Sequence, residues 1–291
     1  MKKLMAVLLA TAVLSGVAAE NKGEINLEKR NVLVHSGLAT KEFPKLSFPA
    51  LKFSLKSGWG LCLPITLLKD GGIFVIDAGT VSRLAASNDK IANLSTETLK
   101  GLNINVNTGD MFDDLDMEFY PPCELKKLVP FIKESKGTVL LQFSNEIAST
   151  EATAMEIRRR LTALFGENLP SNVFLGSGHE NMLIDLRREM PNAQIIRFAR
   201  PWNDKYGAFL AWGWPKHLAA AIKKHKFNAI VVSFIPGYTT EAYFKELKSL
   251  GVETGCCVNA SDLTSKFILD SDLTYPIINN PQSVGKIFKE K

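Results

Sequence analysis

Eight short apolar, β-branched runs recur along the chain, and segments of helical period separate most of them. The runs cover residues 31–35, 60–66, 73–77, 138–143, 172–175, 194–198, 229–234 and 253–258. The intervening helices are expected at 49–56, 95–102, 124–133, 150–165, 181–190, 215–226, 240–250 and 261–269. Ser95 has N-cap character, and Gly251 sits where a helix would stop. On the helix over 150–165, Met155, Ile157, Leu161 and Leu164 oppose Arg158, Arg159 and Arg160, which are expected on a solvated face.

Strands alternating with helices imply parallel βαβ units. Eight of them in about 270 residues match a (β/α)8 barrel, a fold of about 250 residues. The alternative is a doubly wound open sheet, which would favour a glycine-rich phosphate turn after its first strand. The sequence there is His35-Ser36-Gly37-Leu38-Ala39, and neither GxGxxG nor GxxxxGK[ST] occurs in the chain. A single α/β domain over residues 20–291, a TIM barrel, is therefore expected.

Composition narrows the function class. With 46% hydrophobic and 22% charged residues, disorder, collagen and coiled coil are excluded as the main state. The net charge of +5 includes Lys2 and Lys3 of a leader, so the rest is only mildly basic and no nucleic-acid partner is expected. That leader, residues 1–19, has a basic start, a short apolar run and small residues up to Ala19, the parts of a secretory signal peptide. The run is shorter than the roughly 20 residues that span a bilayer, and no later segment is apolar enough to do so. A secreted or periplasmic protein without a stable membrane span is expected, in a compartment that permits disulfides. The four cysteines (Cys62, Cys123, Cys256, Cys257) fit neither a disulfide scaffold nor a CxxC metal pattern. Cys256 and Cys257, adjacent on a strand, should face opposite sides of it.

Barrel chemistry sits at the C-terminal ends of the strands. In this sequence those ends carry His35, Cys62 to Pro64, Asp77, Gln142 to Ser144, Ser177 to His179, Arg197 to Arg200, Ser233 and Cys256 to Asn259. Paired carboxylates, the hard oxygen donors a Mg2+ or Ca2+ site needs, are missing from the set.

Residues 34–102 resemble the N-terminal third of the glycerophosphodiester phosphodiesterase family. The matching pieces are His35-Ser36-Gly37, Pro44-Lys45-Leu46-Ser47, Gly58, Cys62-Leu63-Pro64, Lys69-Asp70-Gly71, Val75-Ile76-Asp77-Ala78 and the helix around Ser95-Thr96-Glu97-Thr98. Further on, Phe174-Leu175-Gly176-Ser177 resembles the family's fifth-strand exit, Val258-Asn259 the end of its Trp-Thr-Val-Asn motif, and Ile277-Ile278-Asn279-Asn280-Pro281 its closing strand and turn. The resemblance implies a TIM barrel, a divalent Mg2+ or Ca2+ ion, two catalytic histidines, and hydrolysis of glycerophosphodiesters to glycerol 3-phosphate and an alcohol, a step of lipid metabolism.

The departures fall on that chemistry. The first family histidine is His35, but the second falls on Asp77, and the phosphate-binding arginine falls on Ser36. The metal carboxylates fall on Cys62, Pro64 and Gln142, and the family lysine on Ser144. A proline cannot coordinate, and an amide carries no charge, so no metal is expected and hydrolysis should be impaired. His35, Cys62 and Asp77, taken as the ends of strands one, two and three, would offer imidazole, thiol and carboxylate, a softer set suited to Zn2+ or copper. The favoured reading is a metal-free pocket. His179 and Asp77 are also candidates for a rebuilt acid/base pair with His35.

The loop over 201–215 holds three of the four tryptophans, Trp202, Trp212 and Trp214. Aromatics at a barrel mouth can stack on a ligand, or the loop can pack on itself. The acidic stretch 110–118 lacks EF-hand order and is expected to be a solvated loop. The expected protein is thus an exported, phosphodiesterase-like barrel that binds a phosphodiester or another small ligand through Ser36, Ser144, His179, the three tryptophans and Asn259. The alternative is a phosphoric diester hydrolase with a non-standard site. N-terminal sequencing of the exported product is expected to begin at Glu20; a start at Met1 would overturn the leader assignment.

Overall fold

A computed structural model describes residues 32–39, 43–85, 93–104, 119–143, 147, 150–200, 202–203, 208–209, 214–258, 267–268 and 271–278. The proposed leader, the acidic stretch 110–118, Ser144, Trp212, Asn259 and all but two residues of the expected helix 261–269 lie outside the described residues.

Eight parallel strands close on themselves. They are β1 (Leu33–His35), β2 (Gly60–Leu67), β5 (Val139–Phe143), β6 (Val173–Ser177), β7 (Gln194–Ala199), β10 (Ala229–Ser233), β11 (Glu253–Val258) and β12 (Tyr275–Ile278). Their order runs β1-β12-β11-β10-β7-β6-β5-β2, and a further pairing of β1 with β2 shuts the ring. The fold is the expected (β/α)8 barrel.

One of the eight expected barrel strands is corrected. Residues 73–77 do form a strand, β3 (Ile73–Val75), but it pairs antiparallel with β2 and stands outside the ring, extended by β4 (Cys123–Glu124). The reason is chain length. A parallel return needs a crossover of a dozen residues or more, whereas Leu68 and Gly72 close a tight turn, Leu68 N donating to Gly72 O at 2.9 Å. Gly71 there has φ +97°, in the left-handed region. The eighth barrel strand is instead β12, where the resemblance placed a closing strand at Ile277.

The hairpin is held by charge. Asp70 accepts from Thr96 N at 2.6 Å and from Thr96 Oγ1 at 3.0 Å, tying the turn to the start of α3 (Thr96–Lys100), which Ser95 also caps. From the other side Arg160 donates to Leu68 O at 2.9 Å and Gly72 O at 3.3 Å. Arg160 is therefore a structural clamp and not part of the solvated face on which its neighbours Arg158 and Arg159 stand. On this helix, α5 (Glu151–Phe165), the buried stripe is Ala154, Ile157, Leu161 and Phe165. Met155 is exposed, because i−3, i+4 and i+8 from Ile157 share a face and i−2 does not.

The remaining helices are α1 (Phe48–Lys56), α2 (Ala78–Ala85), α4 (Leu125–Glu134), α6 (Glu180–Glu189), α7 (Pro215–Lys224) and α8 (Glu241–Ser249). No helix among the described residues is long and apolar enough to cross a membrane. Two cores result from the alternation of strand side chains. An outer one lies between strands and helices. An inner one fills the barrel with Leu33, Cys62, Leu140, Phe174, Ile196, Ala229, Val231 and Ile277. Cys256 belongs to the outer core and Cys257 packs on the inner one, so the adjacent thiols do face opposite ways.

Asn172 locks the entry to β6. Its side-chain amide donates to Ile132 O, Ser135 O and Gly137 O at 3.1, 2.9 and 3.1 Å. Asn172→Ala is expected to cost about 1–3 kcal/mol, the penalty of leaving such groups unpaired, read as a lower urea midpoint at unchanged m.

Candidate functional site

The period of two that fills the barrel also fixes what reaches its mouth. Continuing the inner faces of β1, β2, β5, β7, β10 and β11 by two residues from Leu33, Cys62, Leu140, Ile196, Val231 and Gly255 gives His35, Pro64, Gln142, Phe198, Ser233 and Cys257. These lie at the C-terminal ends of the strands, where barrel chemistry takes place. Ser233 was expected at a strand end, and Phe198 and Cys257 fall within the expected strand-end stretches 197–200 and 256–259. Phe198 leans over Gly176: a Cβ there would stand 2.8 Å from its ring.

His35 ends β1, opposite Cys62 of β2. Its Nδ1 lies 3.0 Å from Ser36 Oγ. Burial holds the imidazole pKa below its ordinary 6.5; the Asp77 carboxylate opposes this and Lys45 reinforces it. The structure thus brings His35 into hydrogen-bond reach of Ser36 and electrostatic reach of Asp77. Asp77, however, does not end a barrel strand. It follows the outlying β3 and caps α2, accepting from Thr80 N at 2.8 Å and Thr80 Oγ1 at 2.7 Å.

Cys62 is fully buried in the barrel and its thiol donates to Gln142 Oε1 at 3.3 Å. Burial pushes that thiol well up, with the Cys257 sulfur adding to the effect. Cys257 is likewise raised to about 12 by burial. Both are therefore neutral S–H groups in the metal-free protein at pH 7. Among the described residues no group of three or more His, Cys, Asp or Glu side chains comes together to hold a metal ion. The convergence of His35, Cys62 and Asp77 as three neighbouring strand ends is thus corrected. Nor do the residues fit the hard cation that the resemblance implies. Such an ion takes several oxygen donors, while these positions hold a soft thiol, a proline ring and a single neutral amide oxygen.

His179 is the N-cap residue of α6, its backbone N donating to Ser177 Oγ at 3.2 Å. It follows β6, three strands around the ring from β1, so its link to His35 is not formed along the sheet. The tryptophan-rich loop holds a two-stranded hairpin, β8 (Trp202–Asn203) with β9 (Ala208–Phe209), in which Trp202 pairs with Phe209. Trp214, the N-cap residue of α7, is 55% exposed.

No protein-family model matches the sequence, and no curated protein matches it. Solved structures do. A Silicibacter pomeroyi protein assigned as a glycerophosphoryl diester phosphodiesterase superposes with a TM-score of 0.70 at 16% identity, covering 89% of this chain and 92% of its own. An Oleispira antarctica phosphodiesterase in complex with the product sn-glycerol-3-phosphate gives 0.65 at 13%, covering 89% and 96%. A glycerophosphodiester phosphodiesterase from Thermotoga maritima gives 0.62 at 14%, covering 89% and 99%. The chain has the fold of these phosphodiesterases. The likeness spans nearly their whole length, as the ordered short matches in the sequence implied.

The lowered His35 pKa fixes the sign of a pH effect. Between the folded value and about 6.5 the unfolded chain binds more protons than the native one, so stability rises with pH. His35 is expected to titrate below 6.5 in histidine NMR spectra, and lower still in Asp77→Asn. Its contribution to stability should be complete above about pH 6.5 and fall away with acidification, and His35→Gln should remove that part of the slope.

Proposed function

We propose that this chain is an exported member of the glycerophosphodiester phosphodiesterase family that has lost metal-assisted hydrolysis and binds a small ligand, a phosphodiester or its product, at the barrel mouth. One observation carries the reading: Cys62 and Gln142, at two of the three positions where the family pattern calls for a metal carboxylate, are hydrogen-bonded to each other as neutral groups inside the barrel. The third, Pro64, sits opposite Gln142 in register and has no donor atom to offer. Phosphodiester hydrolysis of this kind relies on a cation that neutralises charge and activates the attacking oxygen. Each tenfold of lost rate corresponds to about 1.4 kcal/mol of barrier. The retained scaffold and the Oleispira neighbour's product complex support a small-molecule ligand. The exposed Trp214 supplies an aromatic face near the opening.

A second reading, a phosphoric diester hydrolase with a non-standard site, draws on His35. It stays at the end of β1 with the Asp77 carboxylate acting on it, so one acid/base group of the pattern survives.

With Mg2+ or Ca2+, glycerophosphocholine turnover is expected to stay at background, while glycerol 3-phosphate should raise the Tm of the mature protein in a concentration-dependent way, since a ligand that binds only the native state stabilises it. Metal-dependent release of glycerol 3-phosphate that disappears in His35→Ala would favour the second reading. No Tm response to glycerol 3-phosphate or glycerophosphocholine would overturn the ligand-binding proposal.

A further inference from the structure

The turn that follows β1 has a feature that the phosphodiesterase comparison does not use. Ser36 has φ +64°, a left-handed conformation that non-glycine residues adopt rarely. Its neighbour Gly37 has φ +83° and lies against α1, where an added Cβ would stand 2.9 Å from Leu51 Cδ2. Ser36 N donates to Cys62 O at 3.0 Å and Ser36 O accepts from Leu46 N at 2.9 Å, which pins the residue from both sides. A strained backbone persists only where the surroundings over-determine it, and such residues cluster at functional sites. The strain here aims the Ser36 hydroxyl at His35 Nδ1, 3.0 Å away, at the C-terminal end of a barrel strand.

We propose that Ser36 and His35 form a nucleophile–base pair for metal-independent cleavage of small carboxylic esters, with Ser36 Oγ as the nucleophile and His35 as the general base. A hydroxyl within hydrogen-bond reach of an imidazole on a sharp strand-to-loop turn is the arrangement that activates serine. The imidazole is held neutral at pH 7, as a base must be. The Asp77 carboxylate favours the imidazolium that forms when the hydroxyl gives up its proton, while Lys45 opposes it.

The step balances without a metal or a redox partner. Ser36 Oγ attacks the acyl carbon while its proton passes to His35 Nδ1. The acyl–alkoxy bond breaks, and the leaving alcohol takes that proton. Water then attacks the acyl–serine ester, its proton passing to His35 and on to Ser36 Oγ as the acid departs. A carboxylic ester is the fitting class because it is uncharged. A phosphodiester brings a negative charge to the nucleophile, and the carboxylates that would hold a neutralising cation are replaced by Cys62, Pro64 and Gln142. Ser36 is buried and its neighbour His35 is half-buried, so a short acyl group such as acetyl suits the site.

The test uses the mature protein in EDTA with diisopropyl fluorophosphate, a small probe that phosphorylates activated serines, and with 4-nitrophenyl acetate. One equivalent of label that maps to Ser36 by peptide mass, together with ester turnover that rises with pH through the His35 titration, is the expected result. Ser36→Gly is the decisive variant. Glycine accepts the left-handed conformation, so the fold is retained and the label is lost because the hydroxyl is gone. His35→Gln should slow labelling at least tenfold with Ser36 still present. An unlabelled but folded parent protein, label on another serine, or label surviving unchanged in either variant overturns the proposal. None of these readouts depends on glycerol 3-phosphate binding, so the two proposals fail separately.

Discussion

Closure of the ring is the constraint on which the rest depends. β1 is three residues long, yet it pairs with β12 on one side and β2 on the other. Leu33 meets Ile277 and Gly60, and His35 meets Cys62. Without those two seams the sheet would have open edges with unpaired N–H and C=O groups. With them, the inner faces of eight strands enclose one apolar plug, and only the last inward residue of each strand can look out of the mouth. The chemistry of the molecule is thereby limited to a few positions set by register.

Those positions explain why the mouth is neutral. A carboxylate in such an interior needs a cation or several hydrogen bonds, since an unpaired buried charge is costly. Replacing it by a thiol that donates to an amide leaves each group satisfied with one partner and no charge to stabilise. Cys62 also retains apolar contact with the inner plug, where it packs among Leu33, Leu140 and Phe174. The thiol at this position thus keeps the barrel core apolar and filled.

Much of the fold was legible because it depends on periodicity. Seven of the eight barrel strands and the helices around them follow from apolar runs and from signals such as the Ser95 cap and the Gly251 stop. The hairpin was missed because an apolar run looks the same whether it returns parallel or antiparallel. The deciding feature was the short interval from Leu68 to Gly72, which leaves no room for a crossover. Arg160 was read as solvated because sequence shows its helix face and not the two carbonyls of a turn that lies 88 and 92 residues away. At the site, residue types were legible but not their engagements. Asp77 is occupied with a helix cap and Cys62 with an amide, and each follows from a contact that only the folded chain creates.

The parallel seam between β1 and β12 also gives the two ends of the barrel chain different addresses. The chain enters β1 at Leu33, on the face opposite the mouth, and leaves β12 at Ile278, beside Val34 and one residue from the level of His35. A label placed at Val32 therefore sits at the end of the barrel opposite the mouth, and one placed at Ile278 sits level with Val34, one residue short of His35.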